Sequence, residues 1–188
     1  KIWVRYISRK YYKSMRATES PLKGCFVLEP TIFEDERGYF FESFNLEQFE
    51  ELLGTSPVFV QDNQSRSSKG VLRGLHLQRA EHAQAKLVRV LEGEILDVVL
   101  DLRPDSPTFK QSFSILLSEE NKKQLFVPRG FAHGFLVLTE FATIHYKTDN
   151  YYTKASESGI LFNDPDLAVI WPMKESLIKT SVTDLELP

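Results

Sequence analysis

From Leu87 to Lys147 the chain is cut into short apolar, β-branched-rich runs by turn-forming residues, and this rhythm restricts the fold more than any other feature. The runs are Leu87 to Leu91, Ile95 to Leu102, Phe113 to Leu117, Leu125 to Val127, Phe131 to Leu138 and Ala142 to Lys147. Glu92-Gly93 and Pro104-Asp105-Ser106-Pro107 separate the first three, and Pro128-Arg129-Gly130 precedes the fifth. A single segment has the signals of a helix: Asn45 as cap, Leu46 to Leu53 as body, Gln48 at the capping-box position and Gly54 as stop. Many short strands with so little helix predict an all-β antiparallel sandwich or barrel carrying a few short helices.

The earlier part of the chain fits the same scheme. A strand is expected from Cys25 to Phe33, then a turn at Asp35-Glu36-Arg37-Gly38, where Gly38 can take a positive φ, then a strand from Tyr39 to Phe44. Alternation along that second strand sets Phe40, Glu42 and Phe44 on one face. A carboxylate between two phenyl rings calls for a partner across an interface or for a ligand. Trp171-Pro172 and Leu177 to Pro188 form a tail with little periodicity.

A length of 188 residues suits one domain, placed at 25–188 behind an N-terminal extension and lead-in at 1–24. Lys1 to Arg16 is basic and aromatic, and its plain reading is a leader outside that domain. With 23 basic and 26 acidic residues the net charge is −3, so an anionic ligand must be gathered by local cations, and nucleic acid is not expected as a partner. The lone Cys25 cannot form an internal disulfide, and no apolar run approaches the roughly 18 residues that span a bilayer. A cytoplasmic protein that does not enter membranes is expected.

The stretch from Phe59 to Arg89 is richer in chemistry than a fold requires. Val71, Leu72, Leu75 and Leu77 can hold it against a core, while Arg73, His76 and Gln78 stand between and beside them and Lys86 follows. Such interleaving describes the wall of a pocket. A lone histidine in an apolar run is more often a satisfied core residue than a catalyst, so His76 alone does not define the chemistry.

Longer motifs do. Q-D-N-x-S-x-S-x-K-G-V-L-R-G-L-H-x-Q from Gln61, followed by Q-x-K-L-V-R-V from Gln84, closely resembles the dTDP-4-dehydrorhamnose 3,5-epimerase family. F-x-D-E-R-G-Y-F-F-E-S-F from Phe33, G-E-I-L-D-V-V-L-D-L-R from Gly93, P-R-G-F-A-H-G-F-L-V-L from Pro128 and Y-K-T-D-N-Y-Y from Tyr146 follow the same family. The resemblance runs from Cys25 to Asp184 and implies a cupin jelly roll that works without a cofactor or metal. It implies a dTDP-linked 4-keto-6-deoxyhexose as substrate, inverted at C3 and C5 beside the C4 ketone.

That chemistry needs a base, a group to hold the enolate oxygen and an acid on the opposite face of the ring. By resemblance the base is His76, backed by Asp184; Lys86 holds the enolate oxygen and Tyr146 is the acid. On strand alternation Tyr146 shares a face with Ile144 and opposes His145 and Lys147. The resemblance also implies Arg37, Phe40, Glu42, Gln61, Asn63, Arg73 and His133 as substrate-binding residues. Arg37 to Glu42 would be lent to the neighbouring subunit of a homodimer. Arg73 suits a diphosphate by its planar fork of donors.

The sequence departs from the family pattern in three places. S-x-K-D becomes Ser181-Val182-Thr183-Asp184, so the lysine before the aspartate is missing. Leu77 replaces a common tyrosine, and Arg79 to His82 replaces a common Pro-Pro turn. Leu77 and Arg79 to His82, which adjoin the pocket, keep open a 3-epimerase inverting one centre, or an epimerase of a related dTDP-keto-sugar. A non-catalytic sugar-binding cupin is the reading from another class, and a metal-dependent cupin enzyme is a third. Against the last, His76, His82, His133 and His145 are scattered, with no H-x-H pair.

Overall fold

The computed structural model describes residues 15–167 and 169–187. Thirteen strands carry the fold: β1 (Met15–Glu19), β2 (Phe26–Pro30), β3 (Phe33–Asp35), β4 (Gly38–Phe40), β5 (Gln61–Ser68), β6 (Leu72–Gln78), β7 (Lys86–Glu92), β8 (Glu94–Asp101), β9 (Ser112–Ser118), β10 (Gln124–Val127), β11 (Phe131–Val137), β12 (Phe141–Thr148) and β13 (Glu157–Gly159). Two helices are added, α1 (Leu46–Leu53) and α2 (Val182–Leu185). A six-stranded sheet in the order β1-β2-β10-β7-β12-β5 faces a five-stranded sheet in the order β13-β6-β11-β8-β9, while β3 and β4 pair only with each other. Every pairing between these strands is antiparallel. The expected all-β jelly roll is the fold found.

Alternation explains how one strand serves two layers. Val88 and Val90 of β7, Leu125 and Val127 of β10 and Ile144 of β12 meet Ile95 and Val99 of β8, Leu117 of β9 and Phe131, Phe135 and Val137 of β11 in the central core. Leu87, on the other face of β7, joins Met15, Leu28, Phe126 and Phe49 of α1 in a second cluster. The outer face of the five-stranded sheet is closed by the tail: Leu75, Val98 and Leu100 pack with Leu167, Val169 and Trp171, and Leu72 and Leu136 with Phe162, Met173 and Ile178. Burying a leucine or valine so completely stabilises the fold by roughly 1.5–3 kcal/mol per side chain. Burial also pushes the Cys25 thiol up to about 12, which leaves it an inert core residue.

α1 has the bounds its sequence signals predict. Asn45 accepts from the Gln48 amide at 3.3 Å, and Gly54 ends the helix at φ 68° with its N–H on Glu50 O.

Upstream the expectation needs correcting twice. The strand expected from Cys25 to Phe33 is two strands, β2 and β3, parted at Thr31 and Ile32. The strand expected from Tyr39 to Phe44 stops at Phe40, so Phe40, Glu42 and Phe44 do not share a face. Glu42 turns to the start of α1 and accepts from Asn45 Nδ2 at 3.0 Å and Gln48 Nε2 at 3.2 Å. Phe44 packs on Phe49 and Phe59, and Phe40 stays 67 % exposed. Local capping and clustering outweigh the two-residue period.

Met15–Glu19, inside the expected lead-in, forms an edge strand on β2, with Met15 buried. Most of the basic, aromatic leader lies outside the described residues.

Candidate active site

Residues of the two sheets and of the C-terminal tail enclose a cavity of about 580 Å³, within the usual range for a small-molecule site. His76, Arg73, His133, Lys86, Tyr146 and Asp184, all chosen from the sequence, line it. They come from both sheets. His76 on β6 lies opposite His133 on β11 and Gly159 on β13. Tyr146 on β12 lies between Asn63 on β5 and Val88 on β7 in the facing sheet, and Lys86 opens β7. Ile144 is fully buried, so Tyr146, two residues on, points the same way, as alternation predicts.

His76 owes its inward direction to its neighbours. Leu75 is fully buried against the outer cluster, which sends the next side chain to the cavity. The imidazole Nε2 lies 2.6 Å from Asp184 Oδ1, the carboxylate approaching off the axis of a ring N–H. Asp184 is 3 % exposed and firmly seated: Oδ2 accepts from the Ser181 hydroxyl at 2.7 Å and Ser181 N at 3.2 Å, and Oδ1 from Gly74 N at 3.3 Å. The bond from Ser181 N, with Asp184 N donating in return to Ser181 Oγ at 3.1 Å, forms a capping box at the start of α2. The loss of the motif lysine at Thr183 therefore leaves the aspartate in place, because Ser181 holds it.

Burial lowers the His76 pKa below its ordinary 6.5, with Lys86 adding to the effect and Asp184 and Glu157 opposing it. The ring is thus kept neutral at physiological pH. Lys86 is driven down to about 8 by desolvation, against the attraction of Asp97 and Glu157. Burial raises the Tyr146 phenol above 10, with the Arg73 charge opposing, so it keeps its proton. A neutral imidazole, a protonated phenol and a desolvated ammonium surround one space.

Sequence reasoning missed several residues of the site, the lining Glu157, Lys179, Thr180 and Ser181 and, behind His133, Asp97. Glu157 sits on the three-residue β13 and accepts from the Tyr152 hydroxyl at 2.9 Å. Asp97 on β8 is fully buried and lies 2.8 Å from His133 Nε2, which fixes that ring's tautomer. In sequence Asp97 is one polar residue in an apolar strand, but its alternation with Ile95 and Val99 carried the signal that it faces inward. Lys179, Thr180 and Ser181 come from the tail, where no periodicity marks them.

Five expected residues do not line this cavity. Gln61 and Asn63 continue the β5 wall past the lining residue Ser65, and Gln61 Nε2 donates to Asn63 Oδ1 at 2.9 Å. Arg37, Phe40 and Glu42 belong to or follow the β3–β4 hairpin, where the Arg37 guanidinium pairs with Asp35 and Tyr39 is 59 % exposed. Among the described residues no three His, Cys, Asp or Glu side chains gather as metal ligands. His82 and His145 keep to Thr153 Oγ1 at 3.2 Å and Asp62 Oδ2 at 3.5 Å.

Close backbone approach makes the wall between β6 and β11. A Cβ on Gly134 would stand 2.6 Å from Arg73 O and 2.7 Å from Leu75 Cδ2. Gly134→Ala is expected to cost about 1–3 kcal/mol, lowering the thermal midpoint by roughly 2–12 °C, as thermal unfolding will measure.

A cupin sandwich whose cavity holds an imidazole and a phenol on facing sheets, beside a desolvated ammonium, belongs to the class of enzymes that move protons on carbon. The chain belongs to the dTDP-4-dehydrorhamnose 3,5-epimerase family, whose model matches residues 19–188. A dTDP-4-dehydrorhamnose 3,5-epimerase of Salmonella typhimurium is 50 % identical over 174 residues, spanning 93 % of this chain and 94 % of that protein. The crystal structure of dTDP-4-dehydrorhamnose 3,5-epimerase from Elizabethkingia anophelis matches with a TM-score of 0.91 at 54 % identity, covering 94 % of this chain and 96 % of that one. A dTDP-6-deoxy-D-glucose-3,5-epimerase of Legionella pneumophila, solved in complex with dTDP-4-keto-L-rhamnose, matches at 0.88 and 48 % identity, covering 92 % and 91 %. No helix among the described residues is long and apolar enough to cross a membrane.

Proposed function

We propose that the protein converts dTDP-4-dehydro-6-deoxy-D-glucose into dTDP-4-dehydro-L-rhamnose by inverting C3 and C5. The observation that carries this reading is the placement of His76, 2.6 Å from Asp184, on one sheet and Tyr146 on the facing sheet around a single cavity. The C4 ketone acidifies both neighbouring C–H bonds. The ring nitrogen of His76 that Asp184 does not hold takes the proton from one face, and the electron pair moves to the ketone oxygen as an enolate. Lys86, with His133 oriented by Asp97, stabilises that oxygen in a site where water is scarce. Tyr146 then gives its proton to carbon from the other face, and solvent restores both side chains. The cycle repeats at the second carbon, and no electron is gained or lost overall.

Arg73 holds the diphosphate, and the β5 wall with Gln61 and Asn63 receives the nucleotide. Arg37, Phe40 and Glu42 serve a neighbouring subunit of a homodimer. This is supported by their absence from the lining of their own cavity and by the exposure of Tyr39 and Phe40. Residues 25–188, with β1 added at the edge, act as one catalytic domain.

Incubation with dTDP-4-dehydro-6-deoxy-D-glucose in D₂O is expected to place deuterium at C3 and at C5, read by NMR and mass spectrometry. Deuterium at C3 alone would assign a single-centre epimerase, and none at either carbon would reject the proton-transfer reading.

A further inference from the structure

The cavity is lined by three cations, Arg73, Lys86 and Lys179, and by two carboxylates, Glu157 and Asp184. Asp184 is engaged with His76, and Lys86 stands deep in the sandwich at the start of β7. Arg73 and Lys179 remain as exposed cations, and among the described residues neither makes an ion pair. An exposed lysine without a partner is ordinarily just a solvated side chain. This one differs in how its backbone is fixed. Lys179 N donates to Gly70 O at 2.8 Å and Lys179 O accepts from Leu72 N at 2.9 Å, a one-residue parallel bridge onto Val71. The tail is thereby tied to the start of β6, with Lys179 beside the strand that carries Arg73 one residue past Leu72.

A nucleoside diphosphate brings about two negative charges, more than a single guanidinium neutralises. The wall formed by the tail has lost the lysine of the S-x-K-D pattern: Thr183 lines the cavity without a charge. Lys179, four residues earlier on the same wall, restores it.

We propose that Lys179 is a substrate-binding residue that, with Arg73, clamps the diphosphate of the nucleotide sugar at the cavity wall. This rests on the dTDP-sugar reading above. The clamp is a relocated charge, so the position of the lysine along the tail matters less than its presence on that wall.

The test is calorimetric binding of dTDP to the full chain. Lys179→Ala is expected to weaken dTDP about tenfold, as loss of one charge-assisted bond does, and to make the remaining binding less sensitive to salt. Lys179→Arg should bind as the parent does, and Thr183→Lys added to Lys179→Ala should recover most of the loss. Because the bridge to Val71 uses only backbone atoms, these variants should melt with the parent. Lys179→Ala binding dTDP within about twofold of the parent would overturn the proposal. A parent that does not bind dTDP at all would instead overturn the dTDP-sugar reading on which it rests.

Discussion

Replacing His76 by alanine is expected to lower turnover of dTDP-4-dehydro-6-deoxy-D-glucose by about 10²–10⁴-fold, the span that a positioned general base commonly contributes. Affinity for dTDP should hardly change, because in the proposed binding mode His76 meets the sugar while Arg73 and Lys179 hold the diphosphate. The fold should survive as well. Asp184 keeps its bonds from Ser181 and Gly74 when the ring is removed, so no buried carboxylate is stranded. Lost rate with retained dTDP binding and an unchanged melting curve would therefore report the chemistry. Near-normal turnover in the variant would remove His76 as the base.

Lys86→Met is expected to lower kcat by about 10²–10³-fold, the cost of one preorganised group aimed at a developing oxyanion. The same lysine shapes the pH dependence. It must be an ammonium to hold the enolate, and its pKa is lowered to about 8, so activity should fall as the pH rises through about 8. On the acid side His76 must be neutral, and its lowered pKa places that limb below the ordinary histidine value. The methionine variant should lose the alkaline limb and keep an acid one moved up in pH, because Lys86 no longer depresses His76. Because folding depresses the lysine pKa, the charged form costs the folded state at neutral pH, and removing the charge removes that cost. The variant should thus be at least as stable as the parent while far slower. A variant with both the parent's rate and its alkaline limb would show that Lys86 does not hold the oxygen.

The strands from Leu87 to Lys147 were legible because each is bounded by Gly, Pro or a charged turn, and because alternation alone orients Tyr146 beside the buried Ile144. The cap and stop of α1 were equally plain, since they depend on local chemistry. The Phe40, Glu42 and Phe44 face was misjudged because a period of two cannot show that Asn45 and Gln48 bid for the same carboxylate. Asp97 and Glu157 went unseen because their roles arise from pairings between strands distant in sequence. The His76 to Asp184 contact spans most of the chain and came only through the family motif.

That contact sets an order of assembly. The two sheets are complete by Gly159, yet the carboxylate behind His76 arrives with α2, after the tail has crossed the outer face of the five-stranded sheet. While a nascent chain emerges from the ribosome, the barrel can therefore close before it has any competence for catalysis. A chain clipped by a protease between Ile178 and Asp184 would keep most of its packed interior and still be mute.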